Sequence, residues 1–449
     1  MSKVSLEAAI QSAGSAVRYL RDVAFPAFEF PVAPEFTDWI SEQAAWKETC
    51  VLLDQSHHMS DLFITGPDAG NMLRYLGVNS FENFGPGRAK QYVVTNEDGY
   101  FIGDSVLFHL EEGFYDLVSN PSSVNWVQFH AETGDWNVTV EREANSARRQ
   151  GPPRFYRYEL QGPNALSIMQ TLIGGPVPDI KFFHMTRFVI AGHAVWALRH
   201  GMAGQPGFEL IGPWADGADV MAAILQAGEG FGLLRGGAKA YAVANLESAW
   251  IPRPPSAVFG PKEKAFREWL PAEAVGSLGG SMDSEDIADY YVTPFDIGYG
   301  RLIKFDHDFI GRDALAKMAE NPRRTKVSLE WNIDDVMSVQ RSLFEPGLPA
   351  KYIALPKSRY AFYQTDKVLH DGKLVGISMD LGHIANERAF ISLATIDREL
   401  STPGTEVVVV WGEKPNSKKL GVEPHRQVEI RATVAPAPYV SSIRESYRK

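Results

Sequence analysis

Glu209 is the first residue whose setting suggests chemistry. It stands in Gly207-Phe208-Glu209-Leu210, on an expected strand just after the loop Gly201–Gly207. A carboxylate accepts two parallel N–H donors in one fork, the geometry with which it meets a guanidinium. A lone strand glutamate reads equally as a solvated edge residue. Asp104, in Gly103-Asp104-Ser105-Val106, is a second candidate, and alone it suits a turn or strand edge. His57-His58 is the only adjacent histidine pair. Neighbours on a strand point to opposite faces, so this pair cannot jointly chelate a metal there. No metal site is expected from the ligand spacing. Cys50, the single cysteine, has no histidine partner in its own segment and reads as a plain buried residue.

Other chemistries lack their motifs. No GxGxxG follows a strand, so a nicotinamide or flavin Rossmann site is unsupported. GxxxxGK[ST], GxSxG, HExxH and CxxC are all missing, and Gly85-Pro86-Gly87-Arg88 is a turn rather than a phosphate loop. One cysteine excludes an intrachain disulfide and a Cys-rich metal site. The formal charge is −11, and no long Lys/Arg run interrupts it, which argues against nucleic acid or an anionic membrane as the main partner. Met1–Leu20 lacks a signal-peptide core and no stretch of ~18 apolar residues occurs, so the cytoplasm is expected.

These residues need elements to position them. With 449 residues, two or three domains are expected. Ser5–Asp22 has helical spacing through Leu6, Ala9, Ile10, Ala13, Val17 and Leu20. Phe25–Phe36, with three prolines among aromatics, reads as a pinned extended segment. A helix is expected from Thr37, capped by Thr37 or Asp38, with Ile40, Ala44, Cys50 and Val51 inward. Strands follow at Leu62–Ile64, Gln91–Thr95, Ser105–His109, Tyr115–Val118 and Asn137–Val140, then at Arg157–Leu160, Val189–Ala191, Val195–Leu198 and Phe208–Ile211. Helices are expected near Ala69–Leu76, Ser123–Glu132, Ala165–Leu172 and Asp216–Gly228. Residues 250–290 read as irregular, with a helical piece at Glu263–Leu270. A second all-β stretch spans Lys326–Trp331, Lys351–Leu355, Leu374–Met379, Phe390–Ile396 and Glu406–Trp411, a barrel or sandwich starting near residue 325. The fold class is therefore α+β.

Seven segments in order then carry a resemblance: DQSHHMSDLFITGPDA (54–69), TNEDGYFIGDSVLF (95–108), YDLVSNPSS (115–123), YELQGPNAL (158–166), GMAGQPGFEL (201–210), Tyr241–Trp250, and TPFDIGYGRLIKFDHDFIGRDAL (293–315). Together they resemble the aminomethyltransferase family of the glycine cleavage system T protein. The spellings HHM and LESAWIP are most similar to the tetrahydrofolate-dependent aryl O-demethylases within it. The resemblance implies three subdomains around a folate cavity: residues 1–324 as a core of two intertwined α+β subdomains, and 325–449 as a C-terminal β-barrel-like domain.

The resemblance also implies roles. Glu209 would take the pterin's amino-pyrimidine edge, and Asp104 would sit beside the reactive N5 edge, with Gly103 where the family usually has a first aspartate. Val118 would pack on the pterin, and Trp250 would lie over the pterin or substrate ring. Arg301 and Lys304 would meet the folate's anionic tail, and Glu247 would brace its helix. Gln55, His58, Asn120 and Tyr241 would contact a methoxylated aromatic donor. Asn120 occupies the place where vanillate-type O-demethylases carry an arginine. Tyr241 occupies the place of a T-protein arginine, where a tyrosine is catalytic in the O-demethylases. Moving methyl from an aryl ether to N5 expels a phenolate, and a phenol of pKa ~10 is matched to help it leave. His58 would polarise the same oxygen. The expected activity is O-demethylation to a phenol and 5-methyltetrahydrofolate. Aminomethyl transfer, demethylation of a sulfonium or amine, and non-catalytic folate binding are the alternatives.

Overall fold

The computed structural model describes residues 4–23, 30–414 and 419–446. Two sheets and a closed barrel, with helices on their outer faces, make up the α+β architecture. The first sheet is antiparallel, in the order β3 (Arg88–Thr95), β4 (Phe101–Glu111), β5 (Phe114–Ser119), β2 (Ser60–Thr65), β6 (Thr139–Glu143). The β3–β4 turn is built from its own residues. Asn96 Oδ1 accepts from the backbone N–H groups of Asp98 and Tyr100, and Gly99 takes φ +79.

The second sheet runs β11 (Leu233–Gly236), β1 (Cys50–Asp54), β7 (Phe155–Gln161), β10 (Gly207–Pro213), β9 (His193–Arg199), β8 (Met185–Ile190). β1 lies parallel to β11 and antiparallel to β7. The barrel closes through β13 (Arg324–Trp331), β17 (Ala389–Asp397), β16 (Lys373–Ile384), β15 (Asp366–His370), β18 (Glu406–Trp411) and β19 (Val428–Ala435). A two-stranded parallel pair, β12 (Leu278–Gly279) with β14 (Tyr363–Gln364), ties the long connection to the barrel's entry.

One apolar core joins the three parts. Val51 and Leu53 of β1, Val93 and Phe101 of the first sheet, and Ile377, Met379 and Ile391 of the barrel all meet the helix Ala238–Ser248 through Val243, Ala244 and Leu246. Burial of each large side chain there is worth ~1.5–3 kcal/mol, so the three parts hold that helix as one body.

Several sequence expectations need correction. Ser5–Asp22 is two helices, Leu6–Ala13 and Ala16–Asp22. Gly14 ends the first in the left-handed region at φ 87, and Ser15 caps the second. The next helix begins at Trp39, capped by Asp38, and Ile40 is 52% exposed. Its buried face is Glu42, Gln43, Ala45 and Trp46, because Glu42 takes the N–H groups of Phe36, Thr37 and Gly237. Cys50 is buried as expected, but it opens β1 with Val51 rather than continuing the helix. Lys351–Leu355 forms no strand, since Lys351 is drawn to Glu423; β15 and β19 complete the barrel instead. The Asn137–Val140 strand lies later, at Thr139–Glu143. The expected extended segment falls partly on residues 25–29, outside the described residues.

Candidate functional site

The helix Ala238–Ser248 carries Ala238, Tyr241, Ala242 and Asn245 at helical spacing along one face, and these four line a cavity of about 340 Å³. A larger cavity, about 460 Å³, lies beside it. The two share Met59, Met202 and Trp250 in their walls. Trp250 reaches this junction because Ala249 turns into the left-handed region at φ 56 and ends the helix. Lys326 Nζ donates to the Ala249 carbonyl at 2.6 Å.

The larger cavity contains Asp104, Val118, Trp250, Tyr299, Arg301, Lys304 and Lys326. Asp104 Oδ2 accepts from Trp250 Nε1 at 2.7 Å, from the Tyr299 hydroxyl and from Gln91 Nε2. Its Oδ1 is buried and has no hydrogen-bond partner among the described residues. Burial raises the Asp104 pKa, and the bonds from Tyr299, Trp250 and Gln91 only partly oppose it. Gly103 has a packing reason: a Cβ there would lie 2.8 Å from Ser123 N, on the helix Pro121–Thr133 that covers β4. An aspartate at 103 has no room on this backbone. Arg301, Lys304 and Lys326 give this cavity a cationic side.

Glu209 lies on β10 opposite Glu159 of β7. Arg157, also on β7, binds three carboxylates. Its Nη2 lies 2.7 Å from Asp61 and 2.6 Å from Asp116, and its Nη1 lies 3.5 Å from Glu209 Oε1. That bond is the only one the Glu209 carboxylate makes among the described residues. Glu159 accepts from Gln55 Nε2 and from the Met202 backbone N–H. One guanidinium does not satisfy this many buried carboxylates. Burial raises Glu209 and holds Glu159 up at about 8, while Asp116 is raised further by burial and the neighbouring Asp61. Gln55 and Glu209 line neither cavity; Glu159, which accepts from Gln55 and from Met202 N–H, lies opposite Glu209, and Met202 lines both cavities.

In the smaller cavity the Tyr241 hydroxyl lies 2.9 Å from His58 Nε2, with the rings edge to face and their centroids 5.0 Å apart. Burial, then the positive charge of Arg253, lowers His58 to about 4, so the imidazole is neutral at physiological pH. Burial also raises the Tyr241 phenol well above its ordinary value, helped by Glu159 and Glu209. The pair therefore carries no formal charge. Asn120 lines the same cavity with both amide ends engaged. Its Oδ1 accepts from Ser122 N, capping the helix Pro121–Thr133, and its Nδ2 donates to the Pro252 carbonyl, each at 3.0 Å.

His57 and His58 sit in the turn between β1 and β2, not on a strand. Among the described residues no group of three or more His, Cys, Asp or Glu is placed to hold a metal ion. Sequence reasoning missed Arg157, Glu159, Gln91 and Tyr299, which reach the site across sheets and loops. It also missed Arg253, Lys357 and Arg359 in the smaller cavity. Arg253 had a usable signal, since it follows the Trp250-Ile251-Pro252 turn directly.

Two adjoining cavities, one rimmed by cations around a buried carboxylate and one holding a neutral Tyr–His pair, make up the candidate site. The chain belongs to the family of the GCVT N-terminal domain, whose model matches residues 7–252. It is 47% identical to a syringate O-demethylase from Sphingobium sp., over 99% of this chain and 97% of that protein. A sesamin methylene transferase from Sinomonas sp. is 29% identical over 90% of this chain and 89% of its own length. The crystal structure of the glycine cleavage system aminomethyltransferase T from Bartonella henselae shares the fold, with TM-score 0.61 and 16% identity, over 94% of this chain and 95% of that one.

Proposed function

We propose that this protein is a tetrahydrofolate-dependent O-demethylase that acts on methoxylated aromatic compounds of the methoxybenzoate type and yields a phenol. The hydrogen-bonded His58–Tyr241 pair carries the reading. It stands in a cavity that shares Met59, Met202 and Trp250 with the cavity containing Asp104. The 47% identity to a syringate O-demethylase along nearly the whole chain supports it.

Reduced folate, when bound, supplies N5 as the methyl acceptor. The residues of the larger cavity fit such a ligand. Asp104 has a buried oxygen with no partner, suited to an N–H donor, and Arg301, Lys304 and Lys326 suit an anionic tail. Val118 offers an apolar face, and Trp250 fixes Asp104 from the cavity junction. Glu209, whose carboxylate meets Arg157 Nη1 at 3.5 Å, lines neither cavity, and its part in holding the pterin rests on the family resemblance alone.

The smaller cavity takes the aromatic donor. With the Nε2–H tautomer of neutral His58 donating to the Tyr241 oxygen, the phenol's own hydrogen is free to be donated to the ether oxygen as negative charge develops there, and His58 fixes the direction of that hydroxyl. A neutral imidazole suits this task, since it neither competes as a cation nor withdraws the tyrosyl proton. Holding the two molecules in adjoining cavities supplies much of the acceleration by proximity.

The test is direct. The purified protein is incubated with tetrahydrofolate and a panel of methoxybenzoates and methoxyphenols, and products are read by mass spectrometry. The expected result is 5-methyltetrahydrofolate together with the matching phenol. Release of formaldehyde equivalents, or no methylated folate from any donor, would overturn the assignment.

A further inference from the structure

One wall of the smaller cavity carries Arg253, Lys357 and Arg359. Two of these cations are already engaged. Lys357 Nζ donates to Asp380 Oδ2 at 2.7 Å, to the Ala242 carbonyl at 2.8 Å and to Asn245 Oδ1 at 3.1 Å. Arg359 Nη2 lies 3.6 Å from the other Asp380 oxygen. Asn245 Nδ2 adds a third donor to Asp380 at 2.7 Å. Arg253 has no such partner among the described residues. Among the described residues its guanidinium makes no hydrogen bond or ion pair, and it lies over the Phe362 ring at 4.7 Å.

The balance of charge on this wall is positive. Among the described residues the carboxylate that lines the cavity is Asp54, which accepts from Ser56 N at 3.0 Å and lies 3.8 Å from His57 Nε2; Asp380 stands outside the lining. Burial and the repulsion of Arg359 hold Arg253 down to about 9, and burial holds Lys357 down to about 7 despite Asp380. A half-buried guanidinium whose donors meet no acceptor among the described residues is well placed to receive one. Arg253 is also the largest single charge acting on His58, so the cationic wall and the Tyr241–His58 pair serve one compact cavity. Asn120 braces the segment that carries Arg253, through its bond to the Pro252 carbonyl at 3.0 Å.

We propose that Arg253, with Arg359 beside it, is the carboxylate-binding element of the smaller cavity, holding the ring carboxylate of a methoxybenzoate whose methoxy group faces Tyr241 and His58. The subsite rests on the O-demethylase reading for its substrate, but not for its ability to bind a benzoate. It assigns Asn120 as a positioning residue, and it explains how an aromatic acid is held with a neutral amide at that place.

Calorimetry on the full-length protein without folate separates the two ideas. The probes are 3-methoxybenzoate and 3-methoxybenzyl alcohol, which differ in the carboxylate. The wild-type protein should favour the acid, and Arg253→Gln should reduce that preference by about tenfold to about 100-fold, as expected for loss of a charge-assisted contact. Arg359→Gln should reduce it less. If Arg253→Gln does not fold, Arg253→Lys, which keeps the charge but not the planar fork, must still lower the preference. A wild-type protein that binds both probes equally would overturn the subsite, as would a folded Arg253→Gln protein with unchanged preference. Arg253-dependent acid binding without turnover of any donor keeps the subsite and removes the demethylation reading.

Discussion

Tyr241 and His58 face their cavity uncharged, and that limits what they can give to one hydrogen. Burial keeps the imidazole neutral at about 4 and the phenol well above its ordinary value. A phenolate leaving the same enclosed space meets the same desolvation, so donor and acceptor remain matched. Tyr241→Phe keeps the ring and its edge-to-face contact with His58. It should therefore lower kcat by ~10²–10⁴-fold while KM changes little, and the loss should shrink for donors whose phenol is more acidic. A Phe variant with near-normal turnover would pass the role to His58. Glu209 makes a different prediction, because its one bond, to Arg157, is long. Glu209→Ala should weaken tetrahydrofolate binding about tenfold or more in calorimetry, and unchanged affinity in a folded variant would remove Glu209 from the cofactor site. At this scale the sequence was legible where a cavity-lining residue sits inside a contiguous segment. His58, Asp104, Val118, Asn120, Tyr241 and Trp250 all line the cavities. It was not legible where the partner arrives from another strand. The Arg157 and Glu159 pair faces Glu209 only through the β7–β10 register, which no local pattern encodes.

Elements set these side chains by close packing, and Gly103 shows how little slack there is. β4 passes under the helix Pro121–Thr133 so closely that any Cβ at 103 would meet both Ser123 N and Ser123 Cβ, at 2.8 and 3.0 Å. Ser123 in turn donates to the Asp104 carbonyl at 3.1 Å, so the contact that excludes a side chain also fixes the strand beside Asp104. Gly103→Ala should cost about 1–3 kcal/mol by overpacking, read as a lower urea midpoint. Full stability in that variant would show that the helix can lift. The elements themselves were readable in proportion to their pattern. Ala69–Leu76 and Glu406–Trp411 have the bounds that periodicity gave them. β1 was hidden because four of its five residues are buried, and a continuous apolar run after a helix reads as more helix. β19 was available, since Ile430, Ala432 and Val434 alternate with exposed Glu429, Arg431 and Thr433, but its charged outer face disguised it.

Across the whole molecule, the helix Ala238–Ser248 is held by a joint whose strength depends on one proton. Glu247 Oε1 accepts from Trp46 Nε1 and from Asn386 Nδ2, each at 3.1 Å, so it links the helices Trp39–Glu48 and Ala238–Ser248 to the turn between β16 and β17 of the barrel. Its Oε2 is buried without a partner. Burial raises its pKa from 4.5 to about 7, against the opposing bonds from Asn386 and Trp46. The folded state thus binds this proton more tightly than the unfolded chain does. The stability it contributes is complete below pH 4.5 and is lost as pH rises through about 7, because the unfolded chain ionises first. Glu247→Gln keeps the shape and the accepting oxygen but cannot ionise. Other titrating groups are common to both proteins and cancel in the difference between their melting temperatures. That difference, variant minus wild type, should grow in the variant's favour from pH 4.5 to about 7 and then level off. A difference that stays flat across this window would mean that Glu247 is already ionised in the folded protein, and that the joint between core and barrel carries no proton.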